Sequence, residues 1–188
     1  MATKPTAWGS AHVFISKNPI TDSTTFPDVS TDFEHVGILL SDSLTIETTD
    51  GDNSELKDVN GVLIDKLTKE PTYTLGFKII KPTNTDYTKF WDTVDSTLPS
   101  GESTISAISV KSFVCSNNYA IMMANTDSIG SDVIAIGKCS FTAKLTWSAT
   151  EGYGVECSAE YLKTDGNVIM NIFQLDEATQ TILKGLIG

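Results

Sequence analysis

His12 and His35 are the only histidines in the chain, so any imidazole-based nucleophilic relay has to use one of them. Such a relay needs a serine or cysteine within hydrogen-bond reach of the ring and a carboxylate to orient it. No Gly-x-Ser-x-Gly elbow and no catalytic-cysteine signature accompanies either residue, and each reads more simply as a strand histidine with satisfied ring nitrogens. Cys115, Cys139 and Cys157 are odd in number, widely spaced and set in apolar segments. That pattern predicts buried thiols in a reducing compartment, not a disulfide framework. No Cys-x-x-Cys occurs and both histidines are remote in sequence from the cysteines, so a zinc site has no support.

Carboxylates are the other group that could do chemistry. Asp50-Gly51-Asp52-Asn53-Ser54 has the opening of an EF-hand calcium loop, but Glu55 stands where the loop needs glycine and Gly61 where it needs a bidentate glutamate. A solvated turn is the better reading. Glu156 and Glu160 project from one face of a predicted strand, and Glu47 joins them if folding brings its strand alongside. A glycosidase would place such a pair across an aromatic-lined pocket, whereas 24 acidic residues produce facing carboxylates by chance. Neither a P-loop nor a dinucleotide-binding Gly-x-Gly-x-x-Gly is present. Tyr87, Phe90 and Trp91 could stack on a sugar, yet their helical spacing predicts a face docked on a sheet. The expectation is a protein that is not an enzyme and that carries no cofactor or metal.

The elements that position these residues are strands. Apolar residues are 40% of the 188 and charged residues 20%, ordinary for one globular domain spanning 1–188. Thr and Val favour pleated surfaces. Val133, Ala135, Gly137, Cys139, Phe141, Ala143, Leu145 and Trp147 alternate with polar residues and predict one apolar strand face. At about 3.3 Å per residue that run is too long for one regular strand, which predicts a bulge at Gly137. A short turn at 149–151 leads into Tyr153–Lys163, in a register that sets Trp147 opposite Tyr153 and Lys144 opposite Glu156. Asp165-Gly166 then reads as a type I′ turn into a strand over Asn167–Leu175. This meander predicts Phe141, Leu145, Trp147, Val155, Tyr161 and Ile172 in the core.

Earlier strands are predicted over Ala11–Ser16, Glu34–Leu40, Ser43–Thr48, Glu55–Val59, Val62–Lys66, Tyr73–Ile80, Thr104–Cys115 and Tyr119–Asn125, with Asn60-Gly61 as a hairpin turn. Residues 17–32 read as a loop. A helix is predicted over Thr85–Asp95, capped at Asn84 or Thr85, and a short C-terminal helix from Asp176 to Lys184, ended by Gly185. The fold class is mainly β: an antiparallel β-sandwich or half-open barrel with one flanking helix and a polar, protruding hairpin over about 50–69.

The formal charge is −11 and arginine is absent, which argues against a phosphate-gripping surface for nucleic acid or anionic membrane. No apolar run approaches the roughly 18 residues of a membrane span, and Met1-Ala2-Thr3-Lys4-Pro5 lacks the apolar core of a signal peptide.

Residues 34–66 carry a resemblance. Glu-His-Val-Gly-Ile-Leu-Leu-Ser-Asp-Ser-Leu-Thr-Ile-Glu-Thr-Thr, followed by Ser-Glu-Leu-Lys-Asp-Val-Asn-Gly-Val-Leu-Ile-Asp, resembles the strand and polar extended hairpin of bacteriophage major tail tube proteins, relatives of type VI secretion and phage-like injection tubes. The order of strand, helix and long strands afterwards fits the same pattern; the loop at 17–32 has no place in it. The resemblance implies a homohexameric ring with a continuous inner β-barrel, stacked into a tube that conducts DNA or a payload. It implies a hairpin, bearing Asp50, Asp52, Glu55, Lys57, Asn60 and Gly61, that reaches a neighbouring copy. Glu47, Glu156 and Glu160 would face an acidic lumen past which DNA slides without specific binding. Tape-measure, tail-terminator, baseplate or sheath proteins would be further partners, and the location would be a virion tail assembled in a bacterial cytoplasm. The competing class is a monomeric β-sandwich binding module, carbohydrate-binding or adhesin-like, with exposed aromatics.

Overall fold

A computed structural model describes residues 11–21, 26–40, 42–51, 53–101, 103–115 and 117–187. The elements are β1 (Ala11–Ser16), β2 (Phe33–His35), β3 (Thr45–Thr49), β4 (Asn53–Lys57), β5 (Leu63–Thr68), β6 (Thr72–Ile80), α1 (Asn84–Phe90), β7 (Asp92–Ser100), β8 (Ser103–Ser112), β9 (Asn118–Asn125), β10 (Asp132–Ser148), β11 (Gly152–Tyr161), β12 (Asn171–Gln174) and α2 (Glu177–Ile187). One antiparallel sheet runs in the order β2-β1-β9-β10-β11-β6-β3, with β12 also beside β10. β4–β5 and β7–β8 are separate two-stranded ribbons. The architecture is sandwich-like, mainly β as the alternation predicts, and not a closed barrel.

Both faces of the central strands are buried. On one side Val13 and Ile15 of β1 meet Leu75, Phe77 and Ile79 of β6, with Phe90 and Trp91 at the end of α1 packed among them. Those strands lie far apart in the sheet order, so the sheet curls. Residues 36–40 span its two margins: Val36 N–H donates to Val13, while Leu40 N–H donates to Lys78 and Ile80 N–H to Ile38. On the other side Phe14, Phe33, Met122, Val133 and Ala135 pack under Leu183 of α2, with Ile20, Phe26 and Val29 from the 17–32 loop.

β10 serves both cores because its alternation breaks. Ile136 pairs with Ile121 and Cys139 with Tyr119, three steps on β10 against two on β9, so one extra residue bulges at Gly137-Lys138. The predicted bulge is present, but it reverses the side-chain parity. Val133 and Ala135 therefore face α2, while Cys139 and Phe141 face the other core. One continuous face from Val133 to Trp147 does not exist.

The predicted register of β10 and β11 holds, with Trp147 opposite Tyr153 and Lys144 opposite Glu156. Burial along it differs from expectation. Phe141, Val155 and Tyr161 are core residues, but Leu145, Trp147 and Ile172 are exposed. The β10–β11 end runs beyond the core, leaving Trp147 65% exposed. β12 starts later than predicted and pairs with β10, not β11. At the preceding turn Asn167, not Gly166, takes positive φ, and Asn167 N–H donates to Thr164.

The predicted 85–95 helix is the largest error. It stops at Phe90, and Asp92–Ser100 is a strand paired along its length with β8. Thr93 and Val94 are β-branched and poor helix formers, and a long cross-strand ladder outweighs the local aromatic spacing. A capping box between Thr83 and Asp86 starts α1. Asp176 caps α2 through Thr179 N–H, and the helix continues through Gly185 because Leu186 and Ile187 pack on the second core. The predicted Glu34–Leu40 strand is shorter, ending at His35 apart from a bridge at Leu39.

Phe141 contacts the rings of Phe77, Phe90 and Tyr119. Phe141→Ala should cost about 3–5 kcal/mol in urea unfolding, whereas Trp147→Ala on the isolated subunit should cost below about 1 kcal/mol.

Candidate functional site

The β4–β5 hairpin is built by its turn and leaves its apolar side chains uncovered. Asp58 Oδ1 accepts from Asn60 N–H at 2.9 Å and from Val62 N–H at 2.8 Å. Gly61 takes φ 78°, the left-handed position that closes a three-residue loop. At the base, a side chain on Gly51 would run into the Lys69 carbonyl. Cross-strand pairs place Ser54, Leu56, Asp65 and Leu67 on one face, and a register shift then sets Leu63 opposite Lys57. Leu56, Val59, Val62, Leu63, Ile64 and Leu67 are all exposed, so the hairpin is less polar than its charges suggest.

The candidate residues on it fall as follows. Asp50 is exposed at the base, Glu55 and Lys57 form an exposed ion pair at 2.9 Å, and Asn60 and Gly61 form the tip. Asp52 lies outside the described residues.

A second ribbon pairs β8, which matches the predicted Thr104–Cys115 strand, with β7, where the sequence predicts helix. Its Leu98↔Ile105 pair and Val94 are exposed, and Ser96 and Ser109 hydrogen-bond across it. The signal lay in the Pro99-Ser100-Gly101 turn between two runs rich in Thr, Ser, Val and Ile. Where this ribbon meets the body, Tyr87, Trp91, Ile108, Val110, Phe113, Leu145 and Tyr153 line an apolar cleft of about 260 Å³. Phe90 and Trp91 are buried, as a docked helix face requires, but Phe113, Trp147 and Tyr153 are exposed aromatics.

The sheet brings the three candidate carboxylates together. Glu47 lies opposite Thr74, which lies opposite Glu160, and Glu156 sits between Lys78 and Lys144. All three share a Ser/Thr-rich face, where Glu47 and Glu156 line a depression of about 510 Å³. Three carboxylates face two ammonium groups, and Lys78 also pairs with Glu151 at 2.5 Å, so the patch keeps a net negative charge. No histidine lines the depression, and Phe77 is the one aromatic residue in its lining.

Elsewhere, His12 Nδ1 and His35 Nε2 meet at 3.0 Å, a pairing that their sequence separation conceals. The Cys139 and Cys157 thiols are buried, as predicted, and pushed up by desolvation, whereas Cys115 is only half-buried. Lys89 of α1, with a side chain 9% exposed, pairs with Glu34 of β2 beside a cavity of about 560 Å³. Burial, then Lys17 nearby, lowers its amine to about 8. Among the described residues no cluster of three or more His, Cys, Asp or Glu could hold a metal, and no helix is long and apolar enough to cross a membrane.

The chain matches no protein-family model and no curated protein by sequence.

Leu56, Leu63 and Leu67 contact no core, so replacing each with Ser should change subunit stability by no more than about 0.5 kcal/mol. Chemical denaturation of the dilute protein checks this; a cooperative loss above 2 kcal/mol, an estimate on the scale of core substitutions, would show the hairpin folded onto the body.

Proposed function

We propose that this chain is a structural subunit that assembles with copies of itself into rings, hexameric by the resemblance, stacked as a phage-type tail tube. The observation that carries this reading is the pair of preformed ribbons whose apolar side chains the subunit leaves in water. Fully burying one such side chain is worth about 1.5–3 kcal/mol, so contact with another copy would recover what folding leaves unused. The outer strands β2 and β3 add sheet edges for pairing. An arginine-free surface with net charge −11 suits a conduit that nucleic acid passes without being bound.

On this reading Glu47, Glu156 and Glu160 belong to the channel wall, with Lys78 and Lys144 offsetting part of their charge, and the hairpin joins neighbouring copies. Tape-measure, terminator, baseplate or sheath proteins are the expected partners in a virion tail put together in the bacterial cytoplasm. A second reading draws on the cleft between Tyr87, Trp91 and Tyr153, whose rings could stack on a sugar in a monomeric binding module.

Negative-stain microscopy with sedimentation over rising protein concentration separates the two. Rings or tubes are expected from the wild type, and a folded monomer from a variant lacking residues 53–68. A monomer at every concentration that binds a glycan array and loses binding with Tyr153→Ala would replace assembly with the sugar reading.

A further inference from the structure

We propose that His12 and His35 form an acid-operated latch that holds the edge strand β2 against β1 at neutral pH and releases it on protonation. This inference does not rest on the tube reading. His35 lies opposite Phe14 in the β1–β2 register, which places His12 diagonally across the same face. The ring centroids are 5.1 Å apart, and the Phe14 ring packs 5.5 Å from His35 and 6.4 Å from His12.

The hydrogen bonds admit one proton arrangement. Gly37 N–H donates to His35 Nδ1 at 3.3 Å, so that nitrogen is an acceptor and the neutral ring carries its proton on Nε2. Nε2–H of His35 then donates to His12 Nδ1 at 3.0 Å, which leaves the proton of His12 on its own Nε2. Each link consumes a lone pair that protonation would remove. A proton on His12 Nδ1 sets N–H against N–H across the pair, and one on His35 Nδ1 faces Gly37 N–H. The same constraint disfavours a metal bridging the two rings, because His35 Nε2 would have to give up the proton that the Gly37 bond puts there.

The surroundings oppose the charged form. Burial lowers both imidazoles, and each His35 charge also meets His12. The charged groups facing them, Asp127 beyond β9 towards His12 and Asp86 of α1 towards His35, favour the charged form, but by less than burial opposes it. Asp86 is already engaged by Thr83 N–H at 2.6 Å and Thr83 Oγ1 at 2.8 Å. Glu34, the neighbour on β2, is taken by Lys89. Because both folded pKa values lie below the ordinary 6.5, the folded pair binds fewer protons than the open chain. Its stabilisation is present above that value and is lost as pH falls through the folded pKa. The two rings titrate as one coupled unit.

β2 is the element such a latch can release. It has three residues and β1 as its strand partner, reinforced by Val36 N–H to Val13 and Lys17 N–H to Asp32; Phe33 stays anchored in the second core and Glu34 on Lys89, so the latch loosens the backbone pairing with β1 and not the whole segment. Opening it frees the outer edge of β1, a template for another strand.

Hydrogen exchange of the full chain at about pH 7.5 and about pH 5, corrected for intrinsic rates, tests this. Peptides covering 33–36 should lose about 10-fold or more of their protection in acid, while 139–161 keeps its own. His12→Asn, which keeps an acceptor near the Nδ1 position and leaves only His35 to titrate, should lose distinctly less β2 protection in acid than the wild type. Long-range proton–nitrogen spectra of the wild type should show both rings as Nε2–H tautomers near neutral pH. An Nδ1–H tautomer at either ring, an imidazole pKa above 6.5, or equal acid loss in wild type and His12→Asn overturns the latch. If the variant does not fold, the wild-type spectra decide alone.

Discussion

β10 runs past both cores and has to serve each with the same set of side chains. A strand of strict period two offers one apolar face, which would leave either the α2 side or the α1 side without β10 residues. One extra residue between Ile136 and Cys139 resolves this: upstream, Val133 and Ala135 point to α2, and downstream, Cys139 and Phe141 point to the curled interior. The partners divide at the same place. β12 lies along Asp132–Ala135 and β11 along Cys139–Ser148, end to end on one side of β10. Leu183 of α2 and the aromatic group of Phe77, Phe90, Tyr119 and Phe141 therefore both depend on that bulge. Straightening it would turn every later side chain to the other face.

What could be read from residues alone follows how far apart the determining contacts lie. The β10–β11 register was legible because a short turn joins two strands whose faces are chemically unlike, so a slip of one residue would misplace every side chain. The bulge position was legible from strand length, but its effect on parity requires knowing that β10 has two cores to fill. Trp147 shows the general limit. Alternation says which side of a strand a residue occupies, not whether anything lies over that side. Asp92–Ser100 failed for a related reason: its ladder with β8 is a non-local gain, while Tyr87, Phe90 and Trp91 advertise a helix locally. Of the candidate site, the common face of Glu47, Glu156 and Glu160 was half readable. Glu156 and Glu160 share a strand, but Glu47 joins them through β6, a neighbour that no local pattern names.

The ribbons pose the opposite problem, apolar residues with nothing to cover them. An isolated two-stranded hairpin is marginal in water, so β4–β5 relies on its turn: Asp58 satisfying two amides, Gly61 in the left-handed region and Gly51 fitted against the Lys69 backbone. Those interactions order the backbone without consuming the leucines. A surface ordered in advance loses less entropy when it meets a partner than one that must fold on contact. The apolar content of β4–β5 and β7–β8 is thus better placed for association than for the stability of the single chain.

Charge sets the conditions under which such association can occur. The thirteen basic residues are outnumbered by 24 acidic ones, and Lys57, Lys78, Lys89 and Lys163 are held in ion pairs with Glu55, Glu151, Glu34 and Glu70. Two of those pairs tie elements within the subunit, Lys89 fastening α1 to β2 and Lys78 fastening β6 to the β10–β11 turn. They leave the excess negative charge to repel between copies over a Debye length of about 8–10 Å at ordinary ionic strength. Attraction between like-charged subunits must then be short-ranged and apolar. That is the kind of contact the exposed leucines, valines and isoleucines of the two ribbons can make, and the kind the arginine-free, carboxylate-rich remainder of the surface cannot.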